Sequence, residues 1–239
     1  MGPGAVPGRR GTGLNATAYP SPNAGVRRPG SRIHMVVIHY TVLDLAETLE
    51  RLCDPAAEVS AHYVIAPEGE VLQLVDEGMR AWHAGSGRWG LVRDVNSHSI
   101  GIELVNDGRA PFAAPQMLAL ERLLADLMTR YRILPSNVIG HSDMAPGRKS
   151  DPGPRFDWRR LALQELSVWP THGATAPVGA LHGSLVVFGY DPTLSPQARL
   201  AAFRSRFFPG REGPPGNDEA GAAVDLARRF PVDAPRRQP

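Results

Sequence analysis

Two hydrophobic periods divide the middle of the chain. Met35 to His39 (Met-Val-Val-Ile-His) is an unbroken, largely β-branched run, which predicts a buried central strand. Asp44 and Glu47 form a capping-box pair, and Leu45, Leu49 and Leu52 follow on one helical face until Asp54-Pro55 stops them. Two apolar runs, 59–65 and 71–75, flank Pro67-Glu68-Gly69-Glu70 and predict a hairpin. A further strand is predicted over 100–105, and its alternation sets Glu103 among apolar neighbours. From Pro115 to Arg132 the residues Met117, Leu120, Leu124, Leu127 and Tyr131 recur at steps of three and four, the mark of an amphipathic helix with proline in its first turn. A short strand at 137–140 and a helix over about 157–168 complete this part.

Strands and helices that interleave in this way predict an α/β fold: a central mixed β-sheet flanked by helices, over residues 33–169. Residues 1–32 hold seven glycines, five prolines and five arginines, so an extended or flexible N-terminal segment is expected there. Apolar density falls over 170–180, which reads as a linker. Residues 181–230 return to helical patterning and predict a small, mostly helical C-terminal unit, followed by a flexible tail over 231–239.

Composition narrows the classes. The chain has 239 residues, 42% of them hydrophobic, enough for one ordinary domain and a small second one. Lys and Arg total 26 against 24 Asp and Glu, a formal net charge of +2 that gives no support to a nucleic-acid partner. One cysteine, Cys53, excludes an internal disulfide framework and a Cys-rich zinc knuckle, so a metal would have to use histidine and carboxylate. No stretch is apolar for long enough to span a bilayer, and residues 1–30 lack the apolar core of a secretory signal. As written, the chain is expected to be cytoplasmic.

Candidate chemistry gathers at strand ends. His39 closes the first buried strand, His141 follows the last one, and Asp151 lies ten residues on, in a loop bent by Pro146, Gly147, Pro152 and Gly153. Two imidazoles and a carboxylate are a normal catalytic zinc set, with the fourth position left for water. Spacing alone does not decide it: each of the eight histidines, taken singly, is more often structural than a ligand, and no HExxH helix is present.

Several segments together resemble one family. Val37-Ile38-His39-Tyr40-Thr41, Ser60-Ala61-His62-Tyr63, Ala81-Trp82-His83-Ala84-Gly85, the run from Asn96 to Glu103, Gly140-His141-Ser142-Asp143 and Lys149-Ser150-Asp151-Pro152-Gly153 occur in the order found in the zinc-dependent N-acetylmuramoyl-L-alanine amidases of the amidase-2 type. That resemblance implies the amidase-2 fold shared with peptidoglycan-recognition proteins, Zn2+ bound by His39, His141 and Asp151, Glu103 as the catalytic carboxylate, and Lys149 beside the reacting carbonyl. His62 and His83 are expected to line the substrate cleft or to orient neighbours, Trp82 to stack on a sugar face or pack in the core, Asn96 to touch substrate, and Ser142 and Asp143 to orient His141. Lys149 is the chain's single lysine among 25 arginines, which favours a specific role for it.

The implied reaction is hydrolysis of the amide between N-acetylmuramic acid and L-alanine, on peptidoglycan or soluble muropeptides, by a monomer. A noncatalytic peptidoglycan-binding protein is the competing class, and a cytosolic amidase recycling anhydro-muropeptides the alternative within the enzymes. Ser21-Pro22-Asn23, Tyr40-Thr41, Phe188-Gly189-Tyr190 and Ala202-Phe203-Arg204 resemble a periplasmic, lipoprotein-type subgroup with a small peptidoglycan-binding-like C-terminal domain. That subgroup's lipid-bearing cysteine has no counterpart, so periplasm or cell envelope stays a second expectation for location.

Overall fold

A computed structural model describes residues 16–233. Among them the strands are β1 (Thr17–Ala18), β2 (Ala24–Val26), β3 (Met35–Tyr40), β4 (Tyr63–Ile65), β5 (Val71–Gln73), β6 (Met79–Ala81), β7 (Ser99–Leu104) and β8 (Val138–Gly140). The helices are α1 (Leu45–Cys53), α2 (Val95–His98), α3 (Ala114–Tyr131), α4 (His141–Met144), α5 (Trp158–Leu163), α6 (Leu181–Phe188), α7 (Pro196–Phe207) and α8 (Asn217–Arg229). Six strands form one mixed sheet in the order β1-β5-β4-β7-β3-β8, parallel except for the β4-β5 hairpin, while β2 and β6 make a separate antiparallel ribbon.

Pleating assigns the strands' side chains to two faces. Val36 and Ile38 of β3, with Ile100, Ile102 and Leu104 of β7, pack beneath Leu120, Leu124 and Leu127 of α3 and Trp158 and Leu161 of α5. The opposite face carries two clusters. Leu52 of α1 covers Val64 and Leu72, whereas Met35, Val37 and Ile139 join Trp89 under residues of α6, α7 and α8. The C-terminal helices therefore share one continuous buried cluster with β3 and β8. Asp44 and Glu47 do form the capping box of α1.

Some boundaries differ from the sequence reading. The fold begins before residue 33: β1 and β2 are paired, and the Asn23 side-chain amide donates to the carbonyls of Asp54 (2.8 Å) and Val59 (2.9 Å), contacts that a Gly/Pro-rich composition does not reveal. Residues 1–15 of that expected segment lie outside the described residues, as do 234–239 of the expected tail. Within that tail, Val232 N–H donates to the Val187 carbonyl and Asp233 accepts from Leu91 N–H. Helix α5 stops at Leu163 because Glu165 adopts a left-handed backbone, φ 59°. No helix among the described residues is long and apolar enough to cross a membrane.

Candidate functional site

The site begins with strand register. Met35, Val37 and His39 of β3 lie beside Ser99, Gly101 and Glu103 of β7, so His39 and Glu103 are neighbours on the same face. Because β8 also runs parallel to β3, its end delivers His141 to the same rim as the first residue of α4. The loop after α4 turns back, and Ser142 N–H donates to the Asp151 carbonyl at 2.9 Å. Only glycine fits at 140: a Cβ there would come to 2.7 Å from the Pro152 ring.

Three donor atoms converge. His39 Nδ1 and His141 Nδ1 are 2.9 Å apart, and each lies 3.0 Å from Asp151 Oδ2. No other group of His, Cys, Asp or Glu among the described residues is arranged to hold a metal. A tetrahedral ion with bonds of about 2.0–2.2 Å separates its ligands by roughly 3.3–3.5 Å, so a cation would fit with a slight opening of this triangle.

Hydrogen bonds behind the rings set which nitrogens face the centre. The Ser99 hydroxyl donates to the Val95 carbonyl at 2.6 Å, which leaves its oxygen to accept from His83 Nε2 at 3.2 Å. His83 Nδ1 then accepts from His39 Nε2 at 3.0 Å. His141 Nε2 donates to the Ala84 carbonyl at 2.9 Å. Both rings thus turn Nδ1 inward, beside a carboxylate oxygen, and three such potential donor atoms in mutual contact are a set that a cation satisfies. Burial, reinforced by His141, pushes His39 down to about 4, and burial with the neighbouring His39 holds His83 well below the usual histidine range; both are neutral at pH 7. Gly101 makes the relay possible, since a Cβ at that position would stand 2.4 Å from His83 Cγ.

Glu103 lies beside this centre with its Oε2 buried and without a hydrogen-bond partner. Burial, and then the charge of Asp151, push its carboxyl up to about 8, while Lys149 acts in the opposite direction. Lys149 is exposed on the wall of the same cleft of about 380 Å³, which also includes Tyr40, Arg51, Trp82, His83 and Arg148. With a cation in the donor triangle, the arrangement would combine a polarising centre, a carboxyl and a nearby ammonium, the parts that hydrolyse an amide.

The other expected contacts divide. Trp82 and His83 do line the cleft. His62 and Asn96 do not. His62 is fully buried, accepts from Gly101 N–H at 3.0 Å, and is pushed down to about 3 by burial and then by Arg27. Asn96 Oδ1 accepts from the backbone N–H of His83 and Ala84, so it holds that segment rather than a ligand. Trp89, which flanks the Gly85-Ser86-Gly87 loop, is core, edge-on to Phe188 and Tyr190. Sequence reasoning passed over Arg148, whose guanidinium donates to the carbonyls of Ala84 (2.7 Å) and Ser86 (2.5 Å); its one available signal was adjacency to Lys149.

Comparisons with known proteins point to one family. Residues 29–154 match the family model described as N-acetylmuramoyl-L-alanine amidase. The N-acetylmuramoyl-L-alanine amidase AmiD of Escherichia coli K12 is 37% identical over an alignment covering 74% of this chain and 76% of AmiD. The 1,6-anhydro-N-acetylmuramyl-L-alanine amidase AmpD of Enterobacter cloacae is 34% identical, covering 62% of this chain and 89% of its own. A solved structure of E. coli AmiD, in complex with the substrate anhydro-N-acetylmuramic acid-L-Ala-D-γ-Glu-L-Lys, has a TM-score of 0.77 at 34% identity, covering 86% of this chain and 93% of that one.

Proposed function

The chain belongs to the N-acetylmuramoyl-L-alanine amidase family, and from that premise we propose that His39, His141 and Asp151 hold a zinc ion, with Glu103 and Lys149 as its chemical partners. The enzyme hydrolyses the amide that joins N-acetylmuramic acid to L-alanine. What carries the zinc reading is the inward-facing triangle of two Nδ1 atoms and Oδ2, each about 3 Å from the others. When bound, zinc polarises a carbonyl and makes water acidic enough to attack near pH 7.

The chain's own groups do the rest. The unpartnered Glu103 Oε2 accepts the proton lost by the attacking water and returns it to the departing L-alanine nitrogen. Burial and then the Asp151 charge raise the Glu103 carboxyl, and a cation held by His39, His141 and Asp151 would offset the second of these and favour the carboxylate form that accepts a proton. Lys149 places a positive charge where the tetrahedral oxyanion forms. Arg148 and Asn96 hold the Ala84 segment against His141.

We assign residues up to 169, with β1 as the outer strand of the sheet, to the catalytic domain and the helices within 181–230 to a layer on its second face. Every assigned site residue comes from one chain, so a monomer suffices. The anhydro sugar in the bound ligand of AmiD and in the name of AmpD makes a soluble 1,6-anhydro-muropeptide the substrate we assign. Metal analysis tests the reading: about one zinc per chain is expected in the wild type, and His39→Ala and Asp151→Ala should lose it together with turnover. Full occupancy in both variants would overturn the ligand set.

A further inference from the structure

We propose that Arg206, on the C-terminal helix α7, is a positioning residue for His141, acting through Asp143; this rests on the reading of His141 as a metal ligand. Asp143 lies two residues past His141 in α4. Its Oδ2 accepts from Gly140 N–H at 2.9 Å, the residue that joins β8 to His141. The same oxygen accepts from Arg206 NH1 at 2.6 Å, and Oδ1 accepts from the Tyr190 hydroxyl at 2.6 Å. Arg206 NH2 reaches the other end of β8, donating to the Val138 carbonyl at 3.2 Å and to Ser167 Oγ at 3.1 Å.

One guanidinium therefore holds one end of the edge strand that presents the ligand directly and the other through Asp143. Its face lies 4.1 Å from the Trp158 ring centroid, and Trp158 in turn packs against Gly140. The side chains of Arg206 and Asp143 are each about 1% exposed, so neither charge has water as an alternative partner and the pair has one arrangement available to it. None of Arg206, Asp143 and Tyr190 lines the substrate cleft. A group that sets the aim of a ligand without touching substrate should govern metal affinity and kcat and leave KM alone.

The nearly complete burial of this network explains why a lysine cannot replace Arg206. An ammonium can meet Asp143 but cannot also span to Val138 and Ser167. Gly140, with no side chain to anchor it, has its N–H held by Asp143 Oδ2, so loss of that clamp is felt first at the residue preceding His141.

The test uses the full-length protein, with zinc affinity read by competition against a chromogenic chelator and ligand geometry read from the visible absorption of the cobalt(II)-substituted protein. Arg206→Lys and the milder Tyr190→Phe should keep the wild-type circular dichroism. Zinc affinity should fall about 10–100-fold in Arg206→Lys and less in Tyr190→Phe. The cobalt bands should shift, and kcat should drop with KM unchanged. If both variants are folded and bind zinc with wild-type affinity and an unaltered cobalt spectrum, whatever their melting temperatures, Arg206 is a structural tie only and the proposal fails. A wild-type protein that binds neither ion would instead overturn the metal reading, and this proposal with it.

Discussion

Glu103 and Lys149 are held differently, which predicts how each should fail. Glu103 is fixed by strand pairing opposite His39, so Glu103→Gln changes almost nothing but the capacity to accept a proton. Zinc content and circular dichroism should stay as in the wild type while kcat falls about 10²–10⁴-fold. Lys149 projects from an exposed loop, and Lys149→Ala should lower kcat by about 10²–10³-fold with a much smaller rise in KM. Lys149→Arg should recover part of that loss, since a planar guanidinium cannot place its charge where a compact ammonium sits. Steady-state kinetics on a defined muropeptide decide both; more than half the wild-type rate in Glu103→Gln, or an unchanged rate in Lys149→Ala, would remove that role. The three converging donors were candidates because strand ends share a rim, and the family resemblance singled them out among the eight histidines. Asn96 was misplaced, and His62 took the neighbour-orienting side of its two readings, for a physical reason: their motif neighbours look the same whether a polar side chain faces a cleft or a backbone N–H, and only the contacts to Gly101, His83 and Ala84 distinguish the two.

Between elements, one tie open to pH is Glu77, in the turn that follows β5. Its buried carboxylate accepts from the Tyr63 hydroxyl of β4 (2.5 Å), the Tyr131 hydroxyl of α3 (2.6 Å) and the two terminal guanidinium nitrogens of Arg130 on α3. Burial alone would raise its pKa, but the bonds from Arg130, Tyr131 and Tyr63 outweigh burial and hold it below the usual 4.5. A carboxylate depressed in the folded state stabilises the fold above its unfolded pKa and loses that contribution as pH falls through the folded value. Glu77→Gln should therefore cost about 1–3 kcal/mol at pH 7 and show a flatter acid limb than the wild type below about pH 4.5. Urea titrations at several pH values check this; parallel stability curves for the two proteins would contradict it. The element pattern shows what a sequence can carry. Helix α1 was readable from its period and capping box and α3 from its period and first-turn proline, whereas the β2-β6 ribbon is three residues long, too short for any alternation to register, and is held by pairing across the chain.

For the whole molecule, the issue is whether residues after Trp169 form an appendage or a wall. Falling apolar density over 170–180 suggested a linker and a separable unit, because composition reports where the chain is solvated, not what its next segment covers. In the structure, Met35, Val37, Trp89 and Ile139 are each at most 1% exposed, within one cluster shared with Leu185, Phe188, Phe203 and Leu226. Removing α6, α7 and α8 would bare that cluster at a cost of about 1.5–3 kcal/mol for each large apolar side chain. Four of them together approach the 5–15 kcal/mol that holds a typical domain folded. The cut would also leave the buried Asp143 carboxylate without Arg206 and Tyr190. A chain ending at Trp169 should consequently be insoluble, or soluble only as a dye-binding, loosely packed state with weakened zinc retention and little cleavage of small muropeptides. Should the shortened protein instead melt cooperatively near the wild-type temperature and cleave small muropeptides at the wild-type rate, the C-terminal helices would be a detachable module and the shared cluster dispensable to the catalytic fold.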